Sequence, residues 1–300
     1  MTASTVGKSV GMIGTGLMGT AMTRRLMAQG FAVEGYDPSP EAAERFRALG
    51  GTPHATLASL AASVERAVIS VFNSDQVEDV VEGKAGLTAL APATRKLALL
   101  INTSTCEPDR MAALSKRAAQ SGLRFMEVPL SGSSGQVIAG DALGLVGDNG
   151  GDLARGKDIV DSICPRHVEM GPVGNGSKTK LAINHILALN RAAVAEGLVF
   201  ADRIGLPLDA FLDAAKASAA YSQVMQVKGP LMIAGDFAPQ GRIKQSLKDI
   251  TLILGEAKAR GQELPMAEVY RRLMQDGVDN GEADIDNAGV IKAIQRQRTA

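Results

Sequence analysis

Gly14-Thr15-Gly16-Leu17-Met18-Gly19 follows the apolar run Val10–Ile13 and opens a segment, Met18–Gln29, that reads as a helix. Strand, glycine-rich turn and helix in that order form the G-x-G-x-x-G turn of a dinucleotide-binding βαβ unit. Gly14 permits the tight turn, Gly16 lets backbone approach a pyrophosphate, and Gly19 lets the helix pack on its strand. Leu17 and Met18 begin the helix whose N–H groups and dipole face the phosphates. A second strand, Ala32–Tyr36, ends in Asp37, near the ~20-residue spacing at which an acid meets the ribose hydroxyls of NAD. A carboxylate there repels the 2′-phosphate of NADP, and the next residue, Pro38, cannot supply the guanidinium that welcomes it. NAD is therefore the expected cofactor, with NADP less favoured. The alternative, a strand-to-helix turn that binds nothing, does not require strand, helix and acid to fall where they do.

Outward from this motif the first half alternates. Strand-like runs at Val68–Phe72, Leu97–Asn102 and Arg124–Val128 are separated by helical segments at Pro40–Leu49, Leu57–Ser63, Asp75–Gly83 and Pro108–Ser121. Ala142–Val146 and His167–Met170 read as further strands around a possible helix at Gly151–Ile163. Repeated strand and helix argue a doubly wound parallel sheet of the Rossmann type. After the turn-rich run Gly171–Gly176 the strand signal stops. Leu181–Ile204 is apolar at helical spacing, and Leu208–Ala219, Ser246–Arg260, Pro265–Met274 and Ile285–Gln295 continue the pattern. The expected architecture is an α/β nucleotide-binding domain over residues 1–175. An all-helical substrate and oligomerisation domain over 176–300 follows, and it starts with a long interdomain helix.

Composition narrows the function. Lys+Arg and Asp+Glu are both 32, so the formal net charge is zero and no basic stripe suggests nucleic acid or a membrane surface. Aromatics are 3% with no Trp, which argues against a base-stacking platform. No apolar stretch is long enough to span a bilayer, and the first nine residues lack the apolar core of a leader. Cys106 and Cys164 have no metal or disulfide pattern, so both are expected as packing residues in a reducing, cytoplasmic setting. His54 and His167 lack a His, Cys or carboxylate partner at ligand spacing, so no metal is expected.

Several patches could carry chemistry. Ser131-Gly132-Ser133, just after a strand, could cradle a carboxylate on hydroxyls and backbone N–H groups, or form an ordinary polar turn. Ile101–Thr105 lies at a strand end and could line the reacting end of a cofactor site, or simply cap the helix at Pro108. On the long helix, Ser177 is a candidate cap, and Lys180 and Asn184 share a face. A lysine on the first turn of an apolar helix is poorly placed for a solvated charge, and the helix dipole disfavours it there. A general base would use that neutral amine; a lysine whose stem covers apolar neighbours is the alternative. His185 reads as a packing residue. Lys248-Asp249 alone reads as two solvated charges.

Together and in order, these patches resemble the β-hydroxyacid dehydrogenase family, which includes 3-hydroxyisobutyrate dehydrogenase and tartronate semialdehyde reductase. The resemblance spans roughly residues 8–296. Gly14–Gly19 matches the family's G-x-G-x-M-G, and Ser104-Thr105-Cys106-Glu107-Pro108 its S-T-x-x-P. Glu127–Ser133, followed by Ala139–Leu143, is a looser match to its D-A-P-V-S-G-G and A-x-x-G-x-L. Gly174, Gly176, Lys180 and Asn184 match G-x-G-x-x-x-K-x-x-N, and Lys248-Asp249 its late K-D.

The resemblance implies hydride transfer between nicotinamide and the hydroxyl of a small 3-hydroxy acid, or reduction of the matching semialdehyde, by a homodimer or homotetramer. Lys180 is implied as general acid/base, with Asn184 positioning it or the substrate. Ser131, Gly132 and Ser133 hold the substrate carboxylate, with Asp249 and Gly241 on the substrate side. Asn73, Thr105 and Lys248 join Gly14, Gly16, Leu17, Met18, Gly19 and Asp37 on the cofactor side. Four departures stand out. The second glycine of S-G-G is Ser133, a second asparagine after Asn184 is His185, the aspartate before the S-T loop is Asn102, and a phenylalanine ahead of the late aspartate is Gly241. Losing a ring at 241 should widen the pocket toward a larger or more polar, polyhydroxylated acid. The competing readings are an imine or ketone reductase on the same scaffold, against which Lys180 and Asp37 both speak, and a catalytically silent NAD-binding interaction module.

Overall fold

The structure, a computed structural model, describes residues 8–297. β1 (Ser9–Ile13), carrying Val10, Met12 and Ile13, is buried on both sides, as expected of a strand covered by helices on two faces. It is followed by α1 (Leu17–Ala28), β2 (Ala32–Tyr36), α2 (Pro40–Ala48), β3 (Thr52–Pro53), α3 (Leu57–Ser63), β4 (Arg66–Ile69) and α4 (Ser74–Glu82). β5 (Leu99–Asn102), α5 (Pro108–Gln120) and β6 (Arg124–Glu127) complete a six-stranded sheet in the order β3-β2-β1-β4-β5-β6, parallel throughout. Side chains alternate between its faces. Met12, Val68 and Ile101 pack with Met22 and Leu26 of α1, whereas Ile13, Ile69 and Leu100 pack with Leu60 of α3 and Leu114 of α5.

A smaller three-stranded sheet follows in the order β7 (Leu130–Ser131), β8 (Leu143–Val146), β9 (Arg166–Glu169), with α6 (Ser134–Ala139) between β7 and β8 and α7 (Asp152–Ile163) between β8 and β9 in the chain. β7 and α6 are absent from the sequence-based expectation: Ser133 caps α6 through its hydroxyl, and Gln136 returns the bond to the Ser133 N–H. The two-residue β3 is likewise an addition. Cys106 and Cys164 form no disulfide and are both buried in the α/β unit, and burial pushes the Cys164 thiol up to about 12.

α8 (Asn175–Arg203) is a single long helix. α9 (Leu208–Ala217), α10 (Gln223–Ala234), α11 (Ile243–Ala259), α12 (Pro265–Asp279) and α13 (Val290–Arg296) follow it. The expected helix at Ile285–Gln295 is shorter, being α13 preceded by a 3₁₀ turn at Asn287–Gly289. α10 escapes the sequence pattern because Pro230 lies inside it. The chain divides into two compact units, one up to Lys180 and one from Leu181, so the division falls within α8 and not at the glycine-rich turn before it. The first is the Rossmann-type α/β unit and the second is all helix. The helical core gathers Leu198, Met232, Ile250, Tyr270 and Ile291. Within it lies a buried ion pair: Lys228 Nζ is 2.7 Å from Asp286 Oδ1, and Asp286 also accepts the N–H groups of Gln240 (2.9 Å), Gly241 (3.0 Å) and Ala288 (2.9 Å). Among the described residues no helix is long and apolar enough to cross a membrane.

Candidate active site

The turn after β1 is built by sterics. Gly14 has φ +86°, a left-handed value that favours glycine, and its N–H donates to Tyr36 O at 2.9 Å. A β-carbon on Gly14 would strike the carbonyl of Ser70, and one on Gly19 the carbonyl of Gly14. A β-carbon on Gly16 would meet nothing within 4 Å, and Gly16 begins α1 with no side-chain cap and no acidic residue in the first turn. That is a cradle of helix N–H groups with room for an anion. Leu17 and Met18 contribute backbone; the Met18 side chain packs into the core. Asp37 is fixed at the end of β2: its Oδ2 accepts from the N–H (2.8 Å) and hydroxyl (3.1 Å) of Thr15, and Oδ1 from Ser39 N–H (3.0 Å). The residues present therefore fit a dinucleotide.

The carboxyl ends of β4 and β5 carry the next candidates. The Asn73 side-chain oxygen accepts from Gln76 N–H at 2.9 Å and so caps α4. Asn102 does not line a cavity as expected. It is fully buried, accepts from Ser104 N–H at 3.1 Å, and Ser104 Oγ accepts from Val71 N–H at 3.0 Å. These two bonds shape the loop that presents Thr105. After β6, Ser131 and Gly132 are half-buried, and Gly132 lies so close to Ala142 that a β-carbon would come within 3.1 Å of its Cβ. Of the expected three-residue nest, Ser133 has its N–H engaged by Gln136 Oε1 and its hydroxyl oxygen accepting from Gln136 N–H, so its O–H proton is the donor left to it.

Lys180 is 7% exposed. The sequence predicts it on the first turn of its helix with Ser177 as cap. Instead α8 starts at Asn175, so Lys180 lies in the second turn, and the dipole argument at that position weakens. Ser177 is inside the helix, and its hydroxyl donates at 2.5 Å to Oε2 of Glu127, a residue whose role the sequence does not suggest. Oε1 of Glu127 accepts the N–H groups of Gly174 (2.7 Å) and Ser177 (3.1 Å). Glu127 is fully buried, and burial pushes its carboxyl up against the opposing pull of these donors.

In the helical unit, Asn184 Nδ2 donates to Asp249 Oδ2 at 2.9 Å. Lys248 Nζ lies 3.0 Å from Asp249 Oδ1, and the two side chains are only 16% and 21% exposed. They are not the solvated pair that adjacency on a helix suggests. At Gly241 a β-carbon would lie 3.2 Å from the Asn287 amide nitrogen. Asn287 is 8% exposed, donates to Ser246 Oγ at 3.1 Å, and its Oδ1 has no hydrogen-bond partner among the described residues. The position ahead of the late aspartate is therefore polar, which no motif announces. His54, expected to lack a carboxylate partner, has Glu34 Oε2 at 2.7 Å. Among the described residues no group of three or more His, Cys, Asp and Glu side chains is placed to hold a metal.

Residues 9–171 match the family described as the NAD binding domain of 6-phosphogluconate dehydrogenase, and residues 174–294 that described as the NAD-binding of NADP-dependent 3-hydroxyisobutyrate dehydrogenase. The chain belongs to the β-hydroxyacid dehydrogenase family. Members of this family similar to it include L-threonate dehydrogenase of Cupriavidus necator, 29% identical over 95% of both chains. Another is 2-hydroxy-3-oxopropionate reductase of Escherichia coli, 27% identical over 95% of this chain and 97% of that one. In three dimensions, 3-hydroxyisobutyrate dehydrogenase from Salmonella typhimurium superposes with a TM-score of 0.83 at 24% identity, covering 95% and 99% of the two chains. The protein is thus an oxidoreductase acting on CH–OH groups with NAD(P).

Proposed function

We propose that this enzyme interconverts a small polyhydroxylated acid of the threonate type and its carbonyl form with NAD, using Lys180 as general acid/base. The observation that carries the reading is Lys180 itself. It is a buried lysine on α8 with Asn184 one turn further along the same face, and Asn184 is tied to Asp249. A lysine in such surroundings can take a hydroxyl proton as hydride leaves and return it in the reverse direction. When bound, the nicotinamide cofactor accepts or donates the hydride. Ser131 Oγ and Gly132 N–H hold the substrate carboxylate; Gly16 and the start of α1 hold the pyrophosphate. Thr105 and the Asn73 amide lie on the cofactor side.

The substrate class rests on position 241. Gly241 bears no ring, the atom nearest the place of its β-carbon is Asn287 Nδ2, and Asn287 Oδ1 is buried without a hydrogen-bond partner among the described residues. A buried acceptor without a partner costs free energy, which a substrate hydroxyl offsets. The similarity to L-threonate dehydrogenase points the same way. In NAD⁺ reduction assays, threonate is expected to exceed 3-hydroxyisobutyrate in kcat/KM by at least about tenfold, since sites built for hydroxyls reject analogues lacking them. A preference for 3-hydroxyisobutyrate would refute the substrate class, though not the reaction.

Asp37 supports NAD over NADP. Asp37→Asn removes the charge facing a 2′-phosphate and gives up one of the bonds from the Thr15 or Ser39 N–H. The NAD⁺/NADP⁺ ratio of kcat/KM is expected to fall by about tenfold, equivalent to ~1.4 kcal/mol. An unchanged ratio would move cofactor selection elsewhere.

A further inference from the structure

Glu127 closes β6, where its own N–H and carbonyl pair with Gly147. Its carboxylate runs to the start of α8, far along the chain. A helix start leaves N–H groups without intrahelical acceptors, and here a strand residue meets that need, with Gly174 N–H and Ser177 N–H on Oε1 and the Ser177 hydroxyl on Oε2. Gly174 adopts φ +103° at this junction. At Gly176 a β-carbon would lie 2.5 Å from Leu145 O and 3.0 Å from Glu127 Oε1, so the helix rests on β8 by its backbone. The first turn is thus fixed by a carboxylate on one side and a strand carbonyl on the other.

Burying a carboxylate is costly, and hydrogen bonds to a charged acceptor are about twice as strong as neutral ones. The donors that meet this carboxylate include the N–H groups of Gly174, Gly176 and Ser177 and the Ser177 hydroxyl, all at the start of α8. Ser177 and Lys180 are three apart and share a helix face, so any slip of the first turn is carried by the stiff helix to Lys180. Misplacing a reacting group by about 1 Å costs on the order of 100-fold in rate.

We infer that Glu127 is a positioning residue, seating the first turn of α8 so that Lys180 reaches the substrate hydroxyl. The inference rests on the assignment of Lys180 as the base. It gives the family's G-x-G-x-x-x-K spacing a physical content: Gly174 and Gly176 make the seat, and the lysine lies one turn beyond the hydroxyl that enters it.

A double-mutant cycle tests this with Glu127→Gln, Lys180→Ala and the pair, measuring kcat together with NADH affinity by fluorescence titration. Glu127→Gln is expected to lower kcat 10- to 100-fold with NADH affinity within about twofold of wild type. In the Lys180→Ala background the same change is expected to move the residual rate less than twofold, because there is no amine left to place. Equal losses in both backgrounds, or an undiminished kcat, would overturn the proposal. If Lys180→Ala itself retains turnover, the base assignment falls and this inference with it, an outcome distinct from the other two. Should Glu127→Gln fail to fold, Ser177→Ala removes only the hydroxyl contact and takes its place in the cycle. A kcat loss confined to the Lys180 background would then support the proposal, and equal losses in both backgrounds or none would overturn it.

Discussion

Replacing Lys180 with alanine is expected to lower kcat about 1,000-fold while NADH binding and thermal stability stay near wild type. General acid/base groups contribute typically 10²- to 10⁴-fold, and Lys180 is the buried amine on the helix face that also presents Asn184. Lys180→Arg separates proton transfer from packing. The guanidinium restores length and charge but stays protonated throughout the working range, so it should be as inactive in alcohol oxidation as alanine. An arginine variant that recovers turnover would show that position 180 contributes charge alone. An alanine variant that keeps turnover would remove the base from α8 altogether.

The second large effect concerns stability. Asp286→Asn is expected to destabilise the helical unit by about 3–5 kcal/mol, the usual cost of removing one partner of a buried ion pair. Lys228 would remain buried opposite a neutral amide, and one carboxylate now serves Lys228 and the N–H groups of Gln240, Gly241 and Ala288 together. Lys228→Met should cost less, because Asp286 keeps its backbone donors. Burial by itself would raise the Asp286 carboxyl, but the hydrogen bond and charge of Lys228, with the N–H donors, outweigh it and hold the group below the ordinary carboxylate range. Its contribution is therefore full above the unfolded-state value of about 3.9 and fades as pH falls toward the lower folded value. Urea melts of wild type and Asp286→Asn should show their full difference near neutrality and a gap that narrows as pH falls below about 4. A gap that is constant with pH would assign the loss to shape and not to charge.

Local chemistry makes much of the fold readable. An apolar strand, three glycines and a strand ending in Asp37 need only neighbours in sequence, and α2, α3 and α5 announce themselves by periodicity and a proline or hydroxyl at the start. α6 stays hidden although Ser133 and Gln136 form a capping box, because Ser-Gly-Ser-Ser-Gly reads first as a turn. α10 is masked by Pro230, which the helix tolerates beside Gly229, where a β-carbon would collide with Leu212.

The site divides along the same line. Gly16, Lys180 and Asn184 sit in patterned stretches. Glu127 and Asn287 matter through partners far away in the chain, the N–H groups of α8 and the space beside Gly241. No spacing rule encodes such pairings. The start of α8 differs from the sequence-based expectation for this reason: its cap comes from β6, not from Ser177.

Cys106 and Cys164 are both sealed inside the α/β unit, and the helical unit contains no cysteine. A thiol that is buried, and in the case of Cys164 held protonated to about pH 12, does not meet an alkylating reagent until its surroundings open. The chain therefore carries its own opening clock, wired to one half only. Alkylation rates report excursions of the nucleotide-binding half without any introduced label. Taken with the urea melts of Asp286→Asn, they tell whether weakening the helices loosens the other half or leaves it shut.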